Sequence, residues 1–593
     1  MAHRVLALCL VVAGWAAGAD ARLPRADDPD HVTPADQQAM LALVRRAATG
    51  GELAFSPDSM PAKLLRATGR PLVVSAHRPG AEPVVAWSAR GTLFEQLKAA
   101  GAALRATGRL GPLAEVRLKL DLVDRRSPVG PALPLGMGGP PVLGVHGLRV
   151  RTPAADRWLP GSEALRRGLA SGEAFVRHAL GQIEEPPGGL REVRLERFTA
   201  TSFIEREPGG GGPAVALYRG MPRVGRVSRR RLLAAAEAAG DWLLRVQKPD
   251  GSFHYIYDPV RDRMGEGYNV VRHAGVSWSL VQAFEATGRR RFLDGAGRAL
   301  AWLLKQARTR EQMSWLEHGG RRPLGAAALG VMALLAYRKA AATERFDAAI
   351  GRLGAFLVFM QRPDGFFHAE YDADQRKGFI PEDHVPLYAA GEALVALVRL
   401  ARAMPGGGWR QAAAKGADFA AAKRDGWFAE RGMEEVYPDA WTMMALDELH
   451  ALGAARRAHV DYAFFLARLS LEEQVAPSGA RWLDHVGAPR AYGEAPRATP
   501  AACRCEGLLA AWRLARRMGV ATGVYRRAVL RSLRFQLAHQ YDAVNSYLLP
   551  NPSRALGGFY ASYADHRVRI DTVQHNLSSL VGAARMLEAE QGD

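Results

Sequence analysis

The stretch Gln247-Lys248-Pro249-Asp250-Gly251-Ser252-Phe253-His254 returns downstream as Gln361-Arg362-Pro363-Asp364-Gly365-Phe366-Phe367-His368. In both copies a glutamine closes an apolar-periodic helix. Proline then blocks continuation, because it lacks an N–H and clashes with the preceding turn. Asp-Gly makes the turn, since glycine tolerates φ > 0. An aromatic follows and tucks inward. Arg424-Asp425-Gly426-Trp427-Phe428 and Gly557-Gly558-Phe559 read as degenerate copies of the same loop.

Working outward from these loops, six segments carry the periodicity of helices buried on one face: Ser228 to Gln247, Arg291 to Gln306, Thr343 to Gln361, Arg410 to Lys423, Arg456 to Gln474 and Gly523 to Gln540. Ser228 is a natural N-cap for the first. Each is followed by a loop and a more apolar helix rich in small residues, starting near Val271, Pro323, Val385, Pro438, Pro500 and Asp571. Pro323, Pro386, Pro438 and Pro500 sit where a helix begins and a missing N–H costs nothing. Ala326 to Ala328 and Ala389 to Gly391 place small residues where helices converge on an axis. Alternating outer and inner helices at this period imply a mostly α chain, an (α/α)6 toroid over residues 226–593 preceded by a smaller α+β domain.

Residues 1–21 have Arg4 near the front, an apolar run from Val5 to Ala17, and Ala19-Asp20-Ala21 before Arg22, the pattern of a secretory signal peptide. The expected location is therefore periplasmic or secreted, with no membrane span after the leader is removed. Residues 22–207 mix helical periodicity (Ala35 to Thr49, Leu93 to Ala106) with β-like runs at Pro71 to Ser75, Pro83 to Trp87, Glu115 to Leu122, Leu148 to Val150 and Val193 to Glu205. The cluster Glu207-Pro208-Gly209-Gly210-Gly211-Gly212-Pro213 marks a joint, so 208–225 reads as a linker.

The net charge of +19 comes mostly from arginine spread along the chain. Genome composition explains part of such spread. The rest favours an anionic partner, for an exported protein an acidic glycan and not nucleic acid. Only Cys503 and Cys505 follow the leader, so there is no disulfide framework. They would need a matching Cys-His pair on the next inner helix to hold zinc; none is evident, and no metal or other cofactor is expected.

In such a ring, the loops leading into inner helices gather at one end, where helix N-termini favour anions and polar ligands. The residues there form a polar set: Tyr268, Arg272 and His273; Trp315; Glu382, Asp383 and His384; Tyr437, Asp439 and Trp441; Trp482; Glu506; Arg569, Asp571 and His575. Each has a plain structural reading. Asp439 and Asp571 could be helix caps, and His273 a hydrogen-bonded core histidine. His254 and His368 belong to the repeated loop, and Trp278 and Trp302 read as core. Capping alone does not explain why Arg, His, Tyr and Trp recur around the same place.

Tyr268-Asn269-Val270-Val271-Arg272-His273-Ala274-Gly275 resembles the first-repeat phrase of bacterial six-hairpin proteins, and Arg569-Ile570-Asp571-Thr572-Val573-Gln574-His575-Asn576 their closing phrase. That superfamily includes glycoside hydrolases, unsaturated-uronyl hydrolases, polysaccharide lyases and uronyl C5-epimerases. The resemblance implies a carbohydrate polymer or oligosaccharide as partner, by analogy of fold alone. Hydrolysis would pair Asp383 with Asp439 or Asp571. Lyase or epimerase chemistry would use His273 or His384 as base, Tyr268 or Tyr437 for proton transfer, and Arg272 or Arg569 against a uronate carboxylate. Trp315, Trp441 and Trp482 would stack on sugar rings, and Glu382, Glu506 and His575 complete the rim. A non-catalytic glycan-binding or envelope-assembly factor is the alternative. Upstream, Arg90-Gly91-Thr92-Leu93, Glu115-Val116-Arg117-Leu118, Gly144-Val145-His146-Gly147-Leu148 and Trp158-Leu159-Pro160 resemble the AMMECR family, without the cysteine that normally precedes its entry glycine. That resemblance carries no active site.

Overall fold

A computed structural model describes residues 32–591, except 52–61, 67–68, 130–139, 185, 187–188, 373–376, 380–386, 434 and 491–494. The leader-like segment 1–21 and the candidates Glu382, Asp383 and His384 lie outside the described residues. The chain divides into two compact units: Met1–Arg223 with Ala476–Val486, and Val224–Val475 with Gly487–Asp593.

The second unit is the expected (α/α)6 toroid. Its outer helices 1 to 6 are Arg229–Arg245, Arg290–Lys305, Asp347–Phe359, Trp409–Ala422, Arg457–Glu472 and Gly523–Ala538. Its inner helices 1 to 6 are Val270–Thr287, Leu324–Ala341, Ala389–Ala403, Ala440–Ala451, Ala498–Arg517 and Ile570–Ala589. Every inner helix packs on the next, the sixth closes on the first, and each outer helix lies in the groove between two inner ones. The outer helices are apolar on one face and charged on the other, whereas the inner helices are buried almost all round. Inner helix 2 is long and apolar enough to cross a membrane, contrary to the expectation from sequence; 72% of it is buried inside the ring.

The repeated loop fastens the outer ring. Gln247 donates through Nε2 to Gly251 O (3.3 Å) and across to Gly295 O on outer helix 2 (2.9 Å). Gln361 does the same with Gly365 O (3.4 Å) and Ala412 O (2.9 Å). Two further copies complete the set: Gln474 with Gly487 and Ala528, and Gln540 with Gly557 and Ala235, the last joining outer helix 6 to outer helix 1. All four glycines have φ between 84° and 96°, and a Cβ on any of them would come within 2.3 Å of a carbonyl oxygen of the next outer helix. Only glycine satisfies both demands. Gly557 is thus a true copy, while Gly487 was not legible as one. The stretch Arg424–Ala429 is instead a short helix, and Gly426 lies in open space.

The first unit holds an eight-stranded antiparallel sheet. Its strands are β1 (Leu72–His77), β2 (Val84–Ser88), β3 (Arg117–Pro128), β4 (Gly147–Arg151), β5 (Asp156–Leu159), β6 (Arg194–Ile204), β7 (Val215–Tyr218) and β8 (Met221–Pro222). The order is β2-β1-β3-β6-β4-β5, with β7 also on β6 and β8 on β7. Helices Pro34–Thr49 and Leu93–Ala106 start on capping boxes at Thr33 and Thr92 and cover an aliphatic core. The expected linker is a correction. The glycine cluster turns the chain back so that β7 pairs with β6 (Ile204 opposite Val215), and the unit runs on to Arg223. Ala476–Val486 also belongs here: Arg219 reaches Asp484 at 3.0 Å and lies over the Trp482 ring.

Candidate functional site

The ends of the inner helices bring several acidic groups together, and glycine makes the room. Glu392 stands near the start of inner helix 3, seated so closely on inner helix 2 that a Cβ at Gly325 would lie 2.1 Å from its Oε2. Asp439 caps inner helix 4 in the same way against inner helix 3, where a Cβ at Gly391 would be 2.4 Å from its Oδ2. The small residues on this seam therefore clear space for carboxyl groups as well as for helix approach.

The two carboxyls differ in what they already hold. Asp439 accepts from the Trp441 and Thr442 amides (3.1 Å each) and from Thr442 Oγ1 (2.6 Å). It is a saturated N-cap, raised by burial against the pull of Arg424. Among the described residues no hydrogen bond reaches the Glu392 carboxyl, which is 3% exposed. Burial pushes it up to about 7; Arg272 and His575 oppose that rise and Asp439 adds to it. The sequence reading passed over Glu392, because a glutamate four residues into a helix looks like an ordinary first-turn acid.

Inner helix 6 supplies the opposite arrangement. Asp571 is buried and takes both guanidinium arms of Arg569 (3.0 and 2.8 Å), with Arg272 from inner helix 1 at 3.5 Å. One turn on, His575 Nδ1 meets Glu506 Oε2 of inner helix 5 at 2.8 Å. Burial works to lower the His575 pKa, yet Cys503 and Glu506 hold it well above its ordinary value. Donor atoms of Cys503, Glu506 and His575 all lie within 4.8 Å of one another, a set that suits a transition metal. The Cys-His pair sought on the next inner helix is not what completes this set: inner helix 6 gives His575 alone, and Glu506 takes the third place.

Several expected site residues stand elsewhere. His273 is fully buried between inner helix 1 and outer helix 2; its Nε2 donates to Ala299 O (2.8 Å) and its Nδ1 accepts from the Tyr268 hydroxyl. Both nitrogens are spent, Trp302 stacks on the ring, and burial lowers its pKa to about 4. It is a core histidine and no base. Tyr268 is consumed by the same bond, and burial raises its hydroxyl pKa. Trp315 packs on Phe356 and Tyr371, and Trp441 on Trp278 and the His575 ring; each is less than 10% exposed and offers no stacking face. Trp482 belongs to the other unit. Tyr437 shares a hydroxyl contact with Tyr388 at 3.0 Å and lies under the Arg504 guanidinium. The candidates brought together are therefore Arg272, Asp439, Glu506, Arg569, Asp571 and His575, with Glu392 added.

No protein-family model matches the chain, and no curated protein matches it. Solved structures do. A cellobiose 2-epimerase from Bacillus thermoamylovorans superposes with a TM-score of 0.46 at 13% identity, over 60% of this chain and 99% of its own. An alpha-1,6-mannanase from Salegentibacter gives 0.43 at 13%, over 60% and 99%. An uncharacterised protein from Pyrococcus horikoshii gives 0.25 at 17%, over 30% of this chain and 96% of its own. None of the three transfers a residue role to this chain; the ring is recognised by its own helix order and closure.

Proposed function

We propose that the toroid is a carbohydrate-acting enzyme working by proton transfer, with Glu392 as the group that exchanges the proton. The observation that carries this reading is the Glu392 carboxyl, buried in the inner wall, without a hydrogen-bond partner among the described residues and pushed to about 7. A general acid–base works best when its pKa lies near the operating pH. A buried carboxyl with no partner also costs stability, and such perturbed groups concentrate at functional sites. Arg272, anchored by Asp571, supplies the cation that would stabilise negative charge beside the proton being moved. The substrate class rests on the resemblance of the Tyr268–Gly275 and Arg569–Asn576 phrases to six-hairpin proteins.

Within that class the geometry favours isomerisation, epimerisation or elimination over hydrolysis. Hydrolysis needs a second carboxylate to attack or to activate water. Asp439 is saturated as a cap and Asp571 by arginine.

The test is incubation of the full chain in heavy water with neutral and uronate oligosaccharides. Three products are followed: solvent deuterium in the sugar, a new conjugated double bond, and new reducing ends. Deuterium or the double bond is expected, and Glu392→Gln should lower the rate by roughly 10²- to 10⁴-fold with the fold intact. Reducing ends without deuterium would return the site to hydrolysis. No reaction on any sugar would leave the glycan-binding alternative.

A further inference from the structure

Toward the other end of the ring, five inner helices line an open cavity of about 760 Å³ that runs from their middle turns to their C-termini. Six arginines line it: Arg399, Arg402, Arg513, Arg516, Arg517 and Arg585. Among the described residues, the carboxylates in its wall are Asp447, Glu448 and Glu506. Two of these are shared. Asp447 serves both Arg513 and Arg517, and Glu448 both Arg399 (2.7 Å) and Arg402 (3.7 Å). Arg585 pairs outward with Glu285.

Cations do complement helix C-termini, and Arg402 and Arg517 each give one N–H to a terminal carbonyl, of Glu448 and Asp447. A guanidinium has five donors, so that role leaves most of their capacity unused. The walls between the arginines are apolar and aromatic: Arg399 lies 4.9 Å over Trp278, and Arg516 lies 5.6 Å over Trp512. Three residues of this wall, each more than nine-tenths buried, hold a polar atom without a hydrogen-bond partner: Gln282 Oε1, Trp512 Nε1 and Glu506 Oε1. Native interiors seldom leave such groups unmet.

We infer that this cavity is a second binding site of the ring, for an acidic oligosaccharide a few sugar rings long. Charge excess asks for an anion, and planar guanidinium forks match carboxylates bidentately. The volume falls in the range of drug-sized ligands, far above one inorganic ion. That the anion is a saccharide rests on the carbohydrate reading proposed above for the ring. Of the residues gathered around Glu392, Glu506 alone also lines this cavity.

Tryptophan fluorescence and calorimetry with trigalacturonate test it, with maltotriose and inorganic phosphate as comparison arms, at 0.15 M salt. Trigalacturonate is expected to bind and to lose at least tenfold in affinity in the Arg402→Ala/Arg516→Ala/Arg585→Ala variant. A milder Arg516→Gln single variant, checked by circular dichroism, should lose a smaller share. Equal binding of maltotriose would overturn the anionic reading, and equal binding of phosphate the saccharide reading. Unchanged affinity in both arginine variants, or no binding of trigalacturonate, would remove the site altogether.

Discussion

The two ends of the ring are built from the same six inner helices and carry opposite chemistry. At the N-terminal end acidic groups are buried: Glu392 and Asp439 sit against glycine, and Asp571 is held by Arg569. At the C-terminal end arginines crowd an open cavity and share too few carboxylates. Helix dipoles account for the sign at each end. They do not account for the difference in burial. A carboxyl that is buried without a partner is tuned, while arginines around a cavity are presented. On the two readings proposed above, one end moves a proton and the other holds an anion.

The contrast can be broken at three places beyond the tests already given. The largest effect is expected at Glu392. Its folded pKa of about 7 lies above the 4.5 of an ordinary glutamate. The native state therefore holds a proton that the unfolded chain has lost, and stability should fall as pH rises from about 4.5 to 7. The full cost above pH 7 is on the order of 3 kcal/mol. Glu392→Gln removes it, so urea midpoints of variant and parent should coincide near pH 4.5 and separate at pH 8, with the variant more stable. A pH-independent gap would show the carboxyl to be an ordinary ionised group.

The next effect belongs to the opposite end. Asp447 is buried while its partners Arg513 and Arg517 are 38% and 34% exposed. Asp447→Asn should cost roughly 1–2 kcal/mol, discounted because water reaches both guanidiniums. The same change should tighten trigalacturonate binding by freeing donors. Destabilisation without tighter binding would mark Asp447 as purely structural. The smallest effect is expected at Tyr268→Phe, about 1 kcal/mol for leaving His273 Nδ1 without its donor. Turnover per folded molecule should stay unchanged; a large fall in turnover would restore His273 to the chemistry.

Much of the ring was readable because its signals are local. The outer helices are within a few residues of expectation at each end. The candidate site was half readable. Asp571 and His575 lie one turn apart on one helix, and both reach the inner wall. His273 and Trp441 have the same residue chemistry but serve packing. Which way a polar side chain on an inner helix turns depends on the two helices beside it, and those come from other repeats.

The sequence by itself therefore determined the toroid: glutamine, proline and Asp-Gly stop outer helices 1 and 3 at fixed points, and apolar periodicity makes the helices bury their faces in a ring. Gln540 and Gly557 close it onto outer helix 1 by the same contact that joins the earlier repeats. The tertiary structure alone decided the chemistry. Glu392 is set apart by Gly325, Arg272, Asp439 and His575, each from a different inner helix. The arginine cavity draws on five of them. Groups so far apart along the chain interact only through the low-dielectric space that ring closure creates, and no local pattern records it.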